Sequence, residues 1–548
     1  MIIDKDKIYT FISRSFWDEM GISHKLLSQS FAEYLGAENR RIINRSEAIS
    51  YISPIIEQLQ KSLIEWMNNE NTHIVVSKLY CIYNKCFIYY MSQRKQREAL
   101  VQLNISDDDV IQSFEENKNI SLNLLTSINL WLENSLLYQN DLTNAPKELP
   151  SNIDSDLLIT LYLYGLLSRN LSLLSLSNAH NNLDLFYGID ITISSNEPIA
   201  TLIYHPVIYF NPLLSGNQKA FSVTTEQYKN ASNSSFGKGF SKEYGVDFLL
   251  SLRIMRTFQL YLLENDNEKT ILVPKDTFLN LIKDFTPDNV DSEKYFDAFV
   301  LTKDKIQSQL RKGEPIIWIT GTNKYRHEIR PFLCLDNNNV FISYQALEQS
   351  IHIWLSYFAN GGMIYTNSSD ALTDAIETRN DELSKQLVGI IRNKLKSHYK
   401  SGFDEIDVDY ERIFGKKDYN YGDFDLVFFA EDTNELFLIE AKFFSDSPNN
   451  SGMITDYYKL FKKKGYYYHC RKRYDLVLQN IDSLKAFIGV SNEIKAHFLF
   501  VSSKPLEIEF QDKDGIVSFP CLSIFDKYLE GKLLSEDGQS IIRPTHLL

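Results

Sequence analysis

Tyr421-Gly-Asp-Phe-Asp-Leu-Val-Phe-Phe-Ala430, then Glu431-Asp-Thr-Asn434, then Leu436-Phe-Leu-Ile-Glu-Ala-Lys-Phe-Phe444 is the stretch that decides how the last third of this chain folds. Two runs rich in branched and aromatic apolar residues flank a short polar turn, the pattern of a β-hairpin. The turn sets the register. Its midpoint falls between Asp432 and Thr433, which predicts Asp425 directly opposite Glu440. Side chains opposed on one face lie roughly 4.5–5.5 Å apart. Because strand residues alternate, Glu440 shares a face with Lys442, and Asp425 shares one with Asp423. Charges placed in otherwise apolar strands cost several kcal/mol unless they are paired or metal-bound. A cluster of carboxylates is a hard oxygen site of the kind that suits Mg²⁺, with Mn²⁺ as a substitute, and a neighbouring lysine can orient or deprotonate water and steady developing negative charge.

Outward from the hairpin, the pattern predicts a long helix over about Ala371 to Lys396 and strands at Asp404 to Val408, Ala496 to Val501 and Ile516 to Pro520. Helices are expected between about Ile454 and Phe487 and at Ser523 to Leu529. Glu-x-Lys alone carries little, since Glu116-Asn-Lys118 and Glu493-Ile-Lys495 repeat it. Gly422-Asp-Phe-Asp425 on one strand and Glu440-Ala-Lys442 on the next, within an αβββαβ order, resemble the PD-(D/E)xK nuclease superfamily. The resemblance implies a restriction-endonuclease-like core, with Asp425 and Glu440 binding a divalent metal, Asp423 beside them, and Lys442 assisting the water. It also implies a glutamate on the preceding helix, for which Glu382 is the best-placed candidate, with Glu377 behind it.

A basic stretch follows the hairpin. Lys459, Lys462, Lys463, Lys464, Arg471, Lys472 and Arg473 are interleaved with Tyr466, Tyr467, Tyr468 and Tyr474. Cations neutralise phosphates and tyrosines stack on bases, so this stretch, Tyr467 included, is expected to form the wall of a nucleic-acid groove.

The whole chain has 548 residues, which at roughly 150 per domain allows about three or four domains. With 44% hydrophobic and 13% aromatic residues it can bury sizeable cores, and only 22 glycines and 14 prolines exclude a linker-dominated chain. Five scattered cysteines give no disulfide framework. No run approaches the ~18 apolar residues of a membrane span, and Met1 to Lys7 lacks a signal-peptide layout, so a cytosolic protein is expected. The net charge of -14 argues against a generally basic nucleic-acid binder and throws weight onto the local patch.

The organisation expected is multidomain, α and α/β: a mostly helical region over 1–150, a mixed α/β region over 151–368 serving recognition or sensing, and the nuclease-like domain over 369–548. Leu157 to Leu176 reads as a pair of buried helices, Asn230 to Gly239 as a loop, Pro315 to Ile319 as a strand, and His327 beside Arg326 and Arg330 as a solvated basic loop. The function expected is metal-dependent endonucleolytic hydrolysis of nucleic acid, DNA favoured over RNA, in a regulated bacterial restriction or antiviral effector. A protein activator, a partner subunit or a second copy of the chain are the further partners expected, and a membrane is not. The alternative is a catalytically inactive module that binds nucleic acid or a partner on the same fold.

Overall fold

In the computed structural model the residues described are 15–548, apart from 103–107, 143–149, 151, 177–187, 194–200, 206–223, 266–269, 287–289, 319–323, 337, 362–369, 445–455, 457–458, 505, 507, 509 and 536–538. Apolar residues at helical spacing build the first region. Helices Arg45–Asn69, Thr72–Gln102, Asp108–Ser135 and Ser155–Leu176 bury Ile52, Leu59, Tyr80, Trp131 and Leu163 in a shared core. The expected helix pair is one continuous helix, Ser155–Leu176, in which the polar Ser168 and Asn170 are buried. Gly165 permits its close crossing: a Cβ there would meet the Asn123 carbonyl at 2.8 Å. Strand β1 (Arg40–Ile42) pairs antiparallel with β2 (Gly188–Thr192), which pairs with β3 (Thr201–His205).

A second sheet holds β4 (Thr270–Pro274), β5 (Val300–Leu301), β6 (Phe332–Leu335) and β7 (Asn339–Ser343) in the order β4-β7-β6-β5. The segment Asn230 to Gly239 is ordered as a 3₁₀ turn (Ala231–Asn233) and the start of helix Ser235–Tyr244, capped by Ser234. Its glycines serve packing: a Cβ on Gly239 would lie 2.8 Å from the Leu372 Cα, so only glycine admits helix Asp370–His398 this closely. Residues 315–318 form no strand, and the Ile317 amide instead donates to Asn134 Oδ1 at 3.2 Å.

His327 and Arg326 are buried rather than solvated. Arg326 Nε pairs with Glu133 Oε1 at 3.0 Å, and the His327 ring bridges the Tyr80 hydroxyl at 2.9 Å and Asn129 Oδ1 at 2.6 Å. These contacts join the segment before β6 to two N-terminal helices.

The third sheet contains β8 (Ser401–Asp409), β9 (Asp423–Ala430), β10 (Glu435–Lys442), β11 (Lys495–Ser502) and β12 (Val517–Ser518) in the order β12-β11-β10-β9-β8, with β13 (His546–Leu547) beside β11. The β8-β9-β10 steps are antiparallel; β10-β11 and β11-β12 are parallel. Alternation assigns two faces. Leu426, Phe428, Phe437, Ile439 and Leu499 pack under helix Asp370–His398, whose Leu383, Leu387 and Ile391 are buried against them. Val427, Phe429, Leu436, Leu438 and Phe498 turn to the other face, with Tyr467, Cys470 and Val477 of helix Tyr466–Gln479. The chain is thus mixed helical and α/β, and among the described residues no helix is long and apolar enough to cross a membrane.

Burial lowers His327 from 6.5 to about 3. Between these values the unfolded chain binds more protons than the folded one, so stability falls as pH drops through that window. Glu133, raised by burial to about 7, acts oppositely: its contribution declines as pH rises from 4.5. Substituting His327→Gln should flatten the acid-side slope of urea-denaturation stability, and an unchanged slope would show that this ring is not the buried base.

Candidate active site

The hairpin forms in the register its turn predicts. Glu435 pairs with Ala430 and the ladder runs to Ile439↔Leu426, so one further step brings Asp425 opposite Glu440. Asn434 closes the turn with φ 57°, a left-handed conformation that asparagine tolerates well. Beyond the last ladder pair, Asp425 Oδ2 accepts from the Ala441 amide at 2.6 Å. Lys442 Nζ lies 3.0 Å from Asp425 Oδ2 and 2.7 Å from Glu440 Oε1. Three residues expected to act together do meet.

Arg473 completes the cluster from the helix above. Its guanidinium pairs with Glu440 Oε2 and donates to the Tyr421 carbonyl at 3.1 Å. Its side chain is 6% exposed and that of Glu440 8%, so this is a buried ion pair. Arg473 lies on the buried stripe of its helix with Cys470 and Val477, and that three- and four-residue spacing is the signal in the sequence for its inward position.

Burial, and next the charge of Glu440, push Asp425 up to about 6, against the pull of Lys442 and the Ala441 amide. Burial also acts to raise Glu440, but Arg473 and Lys442 outweigh it and hold Glu440 below the usual carboxylate range. Burial disfavours the Lys442 ammonium, yet Glu440 and Asp425 together raise it well above the ordinary lysine value. In this arrangement Lys442 is a cation. It can orient water and steady negative charge, but it has no lone pair with which to deprotonate water.

Asp423 and Asp425 gather a third carboxylate, Asp407 of β8, with one ligand oxygen from each lying within 4.8 Å of the others. Ile406 pairs with Leu426 and Val408 with Phe424, so Asp407 stands at the position facing Asp425, with φ 54°. Its signal in the sequence is the acidic alternation Asp404-Glu-Ile-Asp-Val-Asp409, but residues 410–422 join β8 to β9 and include a helix, Tyr410–Phe414, so no tight turn revealed the register.

Glu382 is not brought to this cluster. It is exposed and pairs with Arg379 at 2.8 Å, and its helix covers the opposite face of the sheet. Glu377 is also exposed on that helix.

The basic stretch divides. Lys459, Lys462, Lys463 and Lys464 are exposed. Tyr467 is buried with its hydroxyl 3.0 Å from Asp512, and Arg471 lies 2.8 Å from both Asp512 and Asp514. Tyr467 and Arg473 therefore hold the fold together and present no surface to a nucleic acid. Lys472 is half-buried, 3.9 Å from Asp475.

Comparisons with protein-family models, curated proteins and solved structures each return no match.

Removing one partner of a buried ion pair strands the other charge, at a cost of about 3–5 kcal/mol. Arg473→Met should destabilise the chain by that order, and Glu440→Gln added to it should recover most of the loss. Urea denaturation of the two variants checks this, and a neutral Arg473→Met would show that Glu440 does not depend on the pair.

Proposed function

We propose that the chain is a metal-dependent nuclease that hydrolyses phosphodiester bonds in DNA, with a C-terminal core similar to the restriction-endonuclease-like fold of the PD-(D/E)xK superfamily. The observation that carries this reading is the meeting of Asp425, Glu440 and Lys442 at the end of adjacent strands. The mixed sheet and the helices on its two faces are in keeping with it.

The donor set fits a hard divalent cation such as Mg²⁺, with Mn²⁺ as substitute. As formal charges, Asp425 and Glu440 balance Lys442 and Arg473. Asp407 and Asp423 add two further carboxylates that form no ion pair among the described residues, which matches the charge of one such ion. Asp407, Asp423 and Asp425 would hold it. Glu440, whose two oxygens are engaged by Lys442 and Arg473, serves chiefly to seat the lysine. When bound, the ion supplies Lewis-acid polarisation of a phosphoryl oxygen and a more acidic water. The Lys442 ammonium is placed to stabilise negative charge as it develops on the phosphate. Because water is the nucleophile, the reaction requires no 2′-hydroxyl, and DNA is a chemically sufficient substrate.

The helical and mixed regions that make up the first two-thirds suit a recognition or sensing role, as in a regulated restriction or antiviral effector. One observation favours a second reading, a binding module without catalysis: Asp425, Glu440, Lys442 and Arg473 are mutually compensated without an ion.

Plasmid DNA, single-stranded DNA and RNA incubated with Mg²⁺, Mn²⁺ or EDTA decide between them. Cleavage should require metal and fall about 100-fold or more in Asp425→Asn and in Lys442→Met. If no substrate is cut and calorimetry detects no Mn²⁺ uptake, the binding-module reading replaces it.

A further inference from the structure

The catalytic cluster has an aromatic neighbour that the charge pattern of the sequence does not reveal. Tyr421 and Gly422 lead directly into Asp423, and Arg473 ties this approach to helix Tyr466–Gln479 through the Tyr421 carbonyl. Lys417 Nζ makes a second tie, to Asn480 Oδ1 at 3.1 Å. Along the seam, the Tyr419 ring lies 5.0 Å from Tyr421 and 6.4 Å from His469, which is 5.7 Å from Tyr468. All four rings are half-buried. Each is held by its neighbours while part of it reaches solvent.

Cations border the rings. Lys472 Nζ stands 5.8 Å from the Tyr468 ring centre, and the exposed Lys464 lies near enough for its charge to act on His469. Two carboxylates, Asp418 and Asp475, are also exposed here, so affinity from charge alone is modest. Lysines would serve a duplex and a single strand alike. The rings discriminate, because a paired base in a duplex has its faces covered by its neighbours, whereas an unpaired base can stack on an aromatic side chain.

We propose that Tyr419, Tyr421, Tyr468 and His469, with Lys464 and Lys472, form a wall that receives single-stranded DNA and leads it to the carboxylate cluster. This rests on the nuclease reading for its substrate and deepens it by naming the strand state. Phosphates lie against the lysines and unstacked bases against the rings. An intact duplex would have to be opened before it could make the ring contacts.

The test is binding without turnover. Fluorescence anisotropy in EDTA compares labelled oligo-dT, the corresponding dA·dT duplex and oligo-U on the full-length chain. Oligo-dT should bind at least about tenfold more tightly than the duplex, and Tyr419→Ala and Tyr468→Ala should each weaken it about tenfold. Tyr419→Phe and Tyr468→Trp keep a ring and should keep the affinity, which separates stacking from a folding defect. Lys472→Ala should weaken binding and lower the salt dependence by about one phosphate contact. Equal affinity for duplex, or an affinity indifferent to both alanine substitutions, overturns the proposal, and tighter binding of oligo-U overturns the assignment to DNA. Single-strand binding by a chain that cuts nothing and takes up no Mn²⁺ would refute the nuclease reading and leave the wall standing, while cleavage without single-strand preference would do the reverse.

Discussion

The C-terminal region depends on four charges held at the edge of water. Asp425 and Glu440 face each other across a hairpin, and Lys442 bridges them at 3.0 and 2.7 Å. Two carboxylates so close repel strongly in a partly buried setting, and one ammonium cannot compensate both. Arg473 supplies the second positive charge from the overlying helix. Strand pairing, helix position and the orientation of Lys442 are therefore one problem with one electrostatic solution. Loss of the arginine would be felt by the helix and by the hairpin together.

The same constraint separates the roles of the acidic residues. Glu440 is committed to two cations, while Asp407 and Asp423 lie at the exposed rim beside Asp425. Asp425, Glu440, Lys442 and Arg473 form an inner, formally neutral set, and Asp407 and Asp423 are two exposed carboxylates outside it.

A second buried charge pair does comparable work far along the chain. Glu133 and Arg326, with His327 between Tyr80 and Asn129, join the N-terminal helices to the segment that enters the middle sheet. Hydrogen-bonded groups of this kind favour one relative placement of the elements, since separating them would leave the Arg326, His327 and Asn129 groups unpaired. The arrangement of the first two regions is specified by polar contacts as well as by apolar burial.

What could be read from the sequence alone was local. The polar turn at 431–434 set the register of β9 and β10, and with it the meeting of Asp425, Glu440 and Lys442, because a tight turn leaves the two strands no other alignment. Helix Asp370–His398 and the strands β8 and β11 were legible from periodicity for the same reason. What only the tertiary structure decided was non-local. Asp407 reaches the site through a strand pair with no short turn to align it, and Arg473, inward-facing by the spacing of its helix, meets Glu440 only once that helix is packed on the sheet. Glu382 is excluded because its helix packs on the opposite face. Gly239, in a segment that resembles a loop in composition, is there because another helix crosses within 2.8 Å of where a side chain would stand. Composition and spacing describe one segment at a time, whereas a buried charge finds its partner only when distant segments are packed together.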